Sequence, residues 1–297
     1  IVPPELRGRD DLSLDDVIPS IREEAGVGVA LQDCSWFSTY RIHHRRAERF
    51  RDRRCFLMGD AAHIHSPVGA QGMNTGLQDA YNLAWKLALV ASGRADPALL
   101  DSYEAERIPV ARRLLSTTDR MFSLVVSDTR LAGLFRTRVL AKAMALAMRL
   151  ERIQRVAFLT ISQTGIRYPD SPLSETLPGI PEAAPRAGDR FPWVRLKLSA
   201  NGPTEDFFSK LDDRRFTLIL IGQAAPPSGV SGLGDLLRTY VIPSNPANDR
   251  ELARVQIPQT AFYLLRPDGH VGLAGVRMEA AAVTRYVSEC LRLRSSL

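Results

Sequence analysis

The stretch 55–76 constrains the fold of this chain more than any other, because it reads as a strand, a glycine-containing loop and a helix in direct succession. Residues 55–58 form an apolar run of the length of a buried strand, and Gly59-Asp60 ends it. An apolar helix is predicted over 73–91, with Gly93 as its stop signal. We therefore expect a strand–loop–helix unit whose helix is buried on nearly all sides.

The loop and the start of this helix point to a ligand site. A helix N-terminus offers free backbone N–H groups and the positive end of a dipole, which suit an anion or a delocalised negative charge. Asp60 ends the predicted strand, and its carboxylate would accept hydrogen bonds from ligand hydroxyl groups. Pro67, Gly69 and Gly72 lie in the loop, although ordinary turn chemistry would also account for Pro67 and Gly69.

These residues closely resemble the second flavin motif of the aromatic-ring hydroxylases, the single-component FAD monooxygenases typified by para-hydroxybenzoate hydroxylase and phenol hydroxylase. The matching positions are Gly59-Asp60-Ala61-Ala62-His63, Pro67, Gln71-Gly72-Met73-Asn74-Thr75-Gly76 and Gln78-Asp79-Ala80-Tyr81-Asn82-Leu83-Ala84-Trp85-Lys86-Leu87. The segment 101–109 also resembles the family. Ala70 departs from it, since a second glycine is usual there, and its Cβ restricts the turn.

The resemblance implies a FAD-dependent monooxygenase. Such an enzyme hydroxylates an aromatic substrate, of phenolic or polyketide type, with NADH or NADPH and O2 through a flavin C4a-hydroperoxide. The family assigns Asp60 to the ribityl hydroxyls and gives Pro67, whose carbonyl would lie over the flavin near C4a, the catalytic position.

Further cofactor-binding positions follow from the same motif. The backbone N–H groups of Gly72, Met73 and Asn74 would face the N1–C2=O edge of the flavin, where the reduced ring carries negative charge. The remaining cofactor-binding positions implied by the resemblance are Gly59, Gly69 and Gln71.

A substrate pocket is implied just before the motif. Residues 29–42 read as a strand, in which alternation places Trp36, Ser38 and Tyr40 on one face. In the family, one face of the substrate-domain sheet roofs the aromatic pocket, so these three residues are candidate pocket residues. Packing of both faces without any contact to substrate is an equally good interpretation.

The fold class implied is α/β: the C-terminal part of a FAD-binding, para-hydroxybenzoate hydroxylase-like fold with a helical segment and a C-terminal thioredoxin-like domain. Residues 1–49 would end the substrate-binding sheet domain, and 50–168 would hold the Gly-Asp motif and helical segment. The proline-rich stretch 169–189 reads as a linker.

The thioredoxin-like domain is expected over 190–297. Strands are predicted near 216–222, 240–243, 260–265 and 270–274, followed by a helix over 278–293, and phenol-hydroxylase-like members of the family carry such a domain. The sequence after the first of these strands lacks a CxxC motif, so the domain should have no thiol–disulfide activity.

Composition narrows the class of protein. Of the 297 residues, 45% are hydrophobic and 24% charged, which is typical of a soluble globular chain, and no apolar run predicts a membrane span. The three cysteines are scattered, which argues against a disulfide framework or a zinc site and favours the cytoplasm. The basic run 43–54 has only one aromatic residue, so no nucleic-acid partner is predicted. A homodimer is a possible assembly.

Two alternatives stay open at this stage. Asp60, His63 and His65 could belong to a metal-dependent hydrolase, although further ligands at suggestive spacing are missing and the prediction is for no metal. The chain could also be an inactive, folded interaction module. No GxGxxG motif for the ADP half of FAD is found, so we expect the chain to be the C-terminal half of a longer enzyme and inactive alone.

Overall fold

The fold is described from a computed structural model of the chain. It describes residues 4–6, 8–9, 11–26, 33–39, 43–65, 71–126, 141–199, 202–226 and 230–294. The chain divides into two compact units, residues 1–43 and 44–297, and each is treated by itself.

The unit 1–43 contains helix α1 (Leu14–Ala25), which the helical spacing of the apolar residues Leu14, Val17, Ile18 and Ile21 in the sequence predicts. The carboxylate of Asp16 accepts a hydrogen bond from the Ser13 N–H at 2.8 Å, and Gly26 ends the helix in the left-handed conformation with φ 61°. The strand predicted over 29–42 is not found in its described part, 33–39. A strand requires a paired neighbour, and none of the described residues of this unit pairs with 33–39.

The unit 44–297 begins with four two-residue strands. Strand β1 (Arg45–Arg46) pairs antiparallel with β4 (His63–Ile64), and β2 (Arg51–Asp52) pairs antiparallel with β3 (Cys55–Phe56). The prediction of a buried strand over 55–58 is therefore wrong. The strand β3 is only two residues long and forms a small hairpin with β2. Leu57 and Met58, which follow β3, are 39% and 48% exposed.

Four helices follow among the residues that the structure describes. They are α2 (Gly72–Ala91), α3 (Asp101–Val126), α4 (Ala141–Ala147) and α5 (Glu151–Ile161). A short 3₁₀ turn, Pro97–Leu100, joins α2 to α3, and Asp96 caps it by accepting from the Ala98 N–H at 2.9 Å. Helix α3 continues through Pro109.

Helix α2 is buried on one side only, which corrects the prediction of a helix buried nearly all round. Met73, Leu77 and Tyr81 are 77%, 62% and 47% exposed along one stripe. The buried side is largely polar: Thr75, Asp79, Asn82, Leu83, Trp85, Lys86 and Leu89. Polar side chains can occupy the interior here because they satisfy one another through hydrogen bonds and ion pairs.

The C-terminal region is built on a five-stranded sheet. Its strands are β5 (Glu175–Thr176), β8 (Phe216–Ile221), β9 (Leu237–Ile242), β10 (Ala261–Leu265) and β11 (Val271–Gly275), in the order β5-β11-β10-β8-β9. The pairs β8–β9 and β5–β11 are parallel, whereas β10 is antiparallel to both of its neighbours. A separate ribbon consists of β6 (Arg195–Lys197) and β7 (Thr204–Asp206).

The stretch 169–189, which reads as a linker, packs on this sheet. Its β5 extends the sheet at one edge, and Leu173 and Ile180 between the prolines are buried. Frequent prolines thus exclude long regular elements in this stretch without preventing apolar side chains from reaching the core.

Both faces of the sheet are covered. Helix α7 (Ala280–Glu289) and the C-terminal part of α2 cover one face, where the Trp85 and Phe216 rings meet edge to face at 5.8 Å. Helix α6 (Pro246–Arg254) packs on the other face through Leu252. None of the helices among the described residues combines the length and the apolar character needed to cross a bilayer.

Candidate functional site

The turn after β3 presents Asp60 at the surface. Gly59–Ala61 form a 3₁₀ turn in which Gly59 is left-handed, with φ 57°. A Cβ atom at Gly76 would lie 3.3 Å from the Gly59 Cα, so the turn packs directly against helix α2. The Asp60 side chain is exposed and makes no hydrogen bond with the residues that the structure describes. Its carboxylate is available to accept hydrogen bonds from a ligand.

The first turn of α2 lies beside this aspartate. The Thr75 N–H bonds to the Gln71 carbonyl at 3.0 Å, whereas helix geometry leaves the N–H groups of Gly72, Met73 and Asn74 without an intrahelical acceptor. No acidic residue lies in this turn to neutralise the dipole, and Met73 is 77% exposed. The positive end of a 20-residue helix is thus available for a negatively charged group.

A buried carboxylate, Asp79, joins the turn to the helix. Its Oδ2 accepts from the Gly59 N–H at 3.0 Å and from His63 Nε2 at 2.7 Å, while its Oδ1 accepts from Arg107 Nε at 2.5 Å. The Arg107 Nη2 in turn donates to the Thr75 carbonyl at 3.2 Å. One side chain of α2 therefore fixes the glycine of the turn, strand β4 and helix α3 together.

The ionisation of Asp79 follows from these contacts. Burial opposes the charge, yet the His63 hydrogen bond, the Arg107 cation and the Gly59 N–H together hold the pKa of Asp79 below its ordinary value. Asp79 is thus a carboxylate, and it accepts a hydrogen bond from His63 Nε2. The His63 Nδ1 is buried without a hydrogen-bond partner among the described atoms.

A second buried carboxylate, Glu106, lies next to Arg107 on α3. Its Oε2 accepts from Asn82 Nδ2 at 2.6 Å and from Lys86 Nζ at 2.8 Å, both on α2. Its Oε1 accepts from Ser171 Oγ at 2.6 Å and from Arg266 Nη1 at 2.5 Å. Burial opposes its ionisation, but the charges of Arg266 and Lys86 lower the pKa of Glu106 well below its ordinary value.

Arg266 belongs to the turn between β10 and β11. It also binds Asp268 in the same turn, through Nε at 3.0 Å and Nη2 at 2.5 Å, and the indole N–H of Trp85 donates to Asp268 at 3.2 Å. Burial lowers the pKa of Lys86 to about 8, against the opposing charge of Glu106. The six buried charges balance in sign: Asp79, Glu106 and Asp268 against Lys86, Arg107 and Arg266.

The predicted site residues are distributed unevenly. Gly59, Asp60, Gln71, Gly72, Met73 and Asn74 are brought together where the turn meets the start of α2. Pro67, Gly69 and Tyr40 lie outside the described residues. Trp36, 79% exposed, and Ser38, also exposed, belong to the unit 1–43.

The metal-site alternative gains no support. The Nε2 of His63 bonds to Asp79, and Asp60 is exposed. No group of three or more His, Cys, Asp or Glu side chains that could hold a metal ion occurs within the described ranges.

The residues that support the site carry no role in the sequence prediction. Asp79, Lys86, Glu106 and Arg107 match the family motif, yet spacing alone leaves their partners unidentified. A signal was available in α2, because Thr75, Asp79, Asn82 and Lys86 recur at helical spacing along the helix. Such a polar stripe indicates either a solvated face or a buried polar seam.

Comparison with known proteins agrees with the motif. Residues 3–118 match the family model described as "FAD binding domain". The chain is 34% identical over 276 residues to 6-methylpretetramide 4-monooxygenase of Streptomyces rimosus, covering 89% of this chain and 49% of that protein. It is 33% identical over 244 residues to pentachlorophenol 4-monooxygenase of Sphingobium chlorophenolicum, covering 80% and 39%.

Solved structures agree in fold. OxyS, the anhydrotetracycline hydroxylase from Streptomyces rimosus, superposes with a TM-score of 0.73 at 28% identity, covering 96% of this chain and 54% of that one. The mixed α/β class predicted from the sequence is confirmed, and the hydrolase alternative is not supported. The chain spans about half the length of the curated relatives it matches, and over that length it is similar to the FAD-dependent aromatic-ring hydroxylases.

Proposed function

We propose that this chain is the C-terminal half of a FAD-dependent monooxygenase that hydroxylates an aromatic substrate of phenolic or polyketide type with NADPH or NADH and O2. The observation that carries the proposal is the pairing of the exposed Asp60 carboxylate with the open N-terminus of α2. The named activities of the similar proteins, which include tetracycline-type and chlorophenol monooxygenases, support the same class.

The residues present fit the flavin half of FAD. Asp60 offers two unpaired acceptor oxygens for ribityl hydroxyls, and the N–H groups of Gly72, Met73 and Asn74 offer donors for the pyrimidine edge of the ring. Bound FAD would accept a hydride from the nicotinamide coenzyme and activate O2 for transfer of one oxygen atom to the substrate ring.

The chain contributes fixed electrostatics to this chemistry. The oriented N–H groups at the N-terminus of α2 would stabilise negative charge on a reduced flavin ring. They need no reorganisation to do so, because Asp79 and Glu106 already hold the helix in place. Gly59 and Gly76 let the turn carrying Asp60 approach the helix closely. Asp60 would orient the cofactor by accepting hydrogen bonds from its ribityl hydroxyls.

The proposed site also includes the rest of the loop before α2 and a pocket for the aromatic substrate. Pro67 and Gly69 would complete the loop on the ring side, with Pro67 next to the reacting part of the flavin. Gln71, which is buried just before α2, would fix the loop end. Trp36, Ser38 and Tyr40 would contribute to the aromatic pocket.

We also propose that 190–297 form a thioredoxin-like domain. The strand order β9-β8-β10-β11, with β8 and β9 parallel and β10–β11 a terminal hairpin before α7, supports this topology. Gln223-Ala224-Ala225-Pro226 follow β8 where a redox member would carry thiols, so the domain would be non-redox. Residues 1–49 and 50–168 would be the substrate-sheet and flavin-contacting parts, and 169–189 the connection.

The test is the substitution Asp60→Ala in the full-length protein. FAD affinity should fall by about tenfold to a hundredfold, since charge-assisted hydrogen bonds contribute about 1.5–3 kcal/mol. Asp52→Ala is the matched control, because Asp52 is an exposed aspartate of the same region outside the motif. Unchanged FAD content and activity in Asp60→Ala, with the fold intact, would reject the assignment.

A further inference from the structure

We propose that Arg266, in the turn between β10 and β11, is a positioning residue for helix α2, so that the C-terminal sheet holds the candidate flavin site in place. The cofactor part of this inference rests on the proposed function. The mechanical part rests on contacts within the unit 44–297 alone.

The turn that carries Arg266 is well defined. The Gly269 N–H bonds to the Arg266 carbonyl at 2.9 Å, the Arg266 N–H bonds to the His270 carbonyl at 2.8 Å, and Gly269 adopts φ 76°. These hydrogen bonds fix the backbone at the end of the hairpin. A glycine in the left-handed conformation is common in such a turn. Asp268 then holds the Arg266 guanidinium from the same turn through two hydrogen bonds.

The guanidinium is committed to one orientation. It binds Glu106 through Nη1 at 2.5 Å and Nη2 at 3.1 Å. The ring centroids of Trp85 and Tyr168 lie 5.5 and 5.6 Å from the guanidinium carbon, Cζ. Arginine alone among the side chains presents a planar fork that can bind two carboxylates while aromatic rings contact its faces. Lysine at this position would keep the charge and lose the geometry.

The carboxylates of Glu106 and Asp268 also accept hydrogen bonds from one side of α2. Asn82 and Lys86 donate to Glu106, and Trp85 donates to Asp268. Three contacts spread over more than one helical turn fix both the rotation of α2 about its axis and its position along it.

Further hydrogen bonds connect these residues to the candidate flavin site. Arg107, next to Glu106 on α3, binds Asp79 and the Thr75 carbonyl, and its Nη1 donates to the Tyr168 hydroxyl at 2.8 Å. Asp79 in turn accepts from the Gly59 N–H beside Asp60. Polar contacts therefore run from the hairpin turn to the residues proposed to hold the flavin, with the backbone of α3 between Glu106 and Arg107 as the connecting step.

The test separates positioning from general stabilisation. Arg266→Met with Asp268→Asn removes one positive and one negative charge, so the buried cluster stays balanced and the double variant is expected to fold. Arg266→Lys is the second variant, since it keeps the charge. Arg254→Met is the matched control, because Arg254 is a half-exposed arginine of the same region paired with Glu251 at 2.8 Å.

Hydrogen–deuterium exchange on the 297-residue chain without cofactor gives the readout. In the double variant and in Arg266→Lys, amides over 75–82 should exchange at least about tenfold faster, while β8 and β10 keep their protection. The control should change neither region. Unchanged exchange over 75–82, or an equal increase in helix and strands, would overturn the proposal in favour of no role or a purely global one.

A second measurement connects the result to the cofactor. In the full-length protein the double variant should bind FAD at least about tenfold more weakly than the Arg254→Met control. If exchange over 75–82 rises and FAD affinity stays unchanged, Arg266 positions α2 but α2 does not support flavin binding, which overturns the cofactor part alone. Failure of the Asp60→Ala test leaves the exchange result unaffected, so the two proposals fail separately.

Discussion

Glu106 and Arg107 are neighbours in sequence on α3, yet their side chains serve different parts of the molecule. Glu106 binds Arg266 of the C-terminal hairpin, whereas Arg107 binds Asp79 beneath the Gly59 turn. Consecutive helical residues point about 100° apart, so one step along α3 reaches two separate neighbours. The pair joins the C-terminal sheet to the candidate flavin site.

Replacing Asp79 by asparagine should destabilise the fold. The change keeps the shape but removes the charge that compensates Arg107. It also replaces one acceptor oxygen by an NH2 group: either Oδ2, which accepts from both Gly59 and His63, or Oδ1, which accepts from Arg107. We expect a loss of about 2–5 kcal/mol in the free energy of unfolding, measured by urea denaturation. Asp60→Asn, at an exposed position without a described partner, should stay within about 0.5 kcal/mol. Equal stabilities of the two variants would refute the role given to Asp79.

Stability should fall steeply in acid. Asp79, Glu106 and Asp268 all have a folded-state pKa below the ordinary value, because neighbouring cations outweigh the burial that opposes their charge. Such groups stabilise the fold above their unfolded pKa, near 4, and lose that contribution as the pH drops towards the folded value. Urea unfolding between pH 7 and pH 3 should show the loss beginning below about pH 5.

The matched variant for the acid prediction is the charge-neutral double substitution Arg266→Met with Asp268→Asn. It removes one of the three low-pKa carboxylates and should therefore show a shallower loss over the same pH range. A free energy of unfolding that is constant from pH 6 to pH 3 in the unmodified chain would contradict the assignment of the buried charges.

The chain by itself should not retain FAD. The flavin-ring half of the site is encoded here, but no GxGxxG motif for the diphosphate is found, and each lost charge-assisted hydrogen bond costs about 1.5–3 kcal/mol. Titration of the 297-residue chain with FAD, followed by fluorescence quenching, should show no micromolar binding. Micromolar or tighter affinity would show that a diphosphate site lies in this sequence unseen.

The exposed stripe of α2 should promote aggregation of the same chain. Met73, Leu77 and Tyr81 form an apolar surface on one side of the helix. Leu77→Gln should raise the concentration at which light scattering begins, whereas Leu83→Gln, at a position only 4% exposed, should unfold the protein. Unchanged scattering for Leu77→Gln would separate the stripe from aggregation.

The C-terminal region should lack disulfide reductase activity. Gln223-Ala224-Ala225-Pro226 follow β8, and Cys290 is the only cysteine beyond residue 189. Burial, together with the nearby Glu175 charge, raises the pKa of the Cys290 thiol and makes it a poor nucleophile. Insulin reduction by dithiothreitol should proceed at the same rate with and without the chain, after removal of contaminating thioredoxin. Acceleration that is abolished by Cys290→Ser would contradict the prediction most directly.

The sequence by itself determined the resemblance to the flavin-dependent hydroxylases, the position of the Gly59-Asp60 turn and the helices and strands with strong local signals. Helix α1 follows from its cap and glycine stop, and β8 follows from a continuous apolar run. Helix α6 was not predicted, although Asn245 and Pro246 form a strong start signal, because its apolar periodicity is weak.

Only the tertiary structure decided which face of α2 is buried. Local periodicity places the apolar residues inward, but Asp79, Asn82 and Lys86 take that place because Arg107 and Glu106 from α3 and Arg266 from the β10–β11 turn complete their hydrogen bonds. Arg266 and Asn82 are far apart in sequence, and no local pattern reports a partner at that distance. Burying a charge is favourable only when its counter-charge is already in position, and that depends on how the whole chain folds.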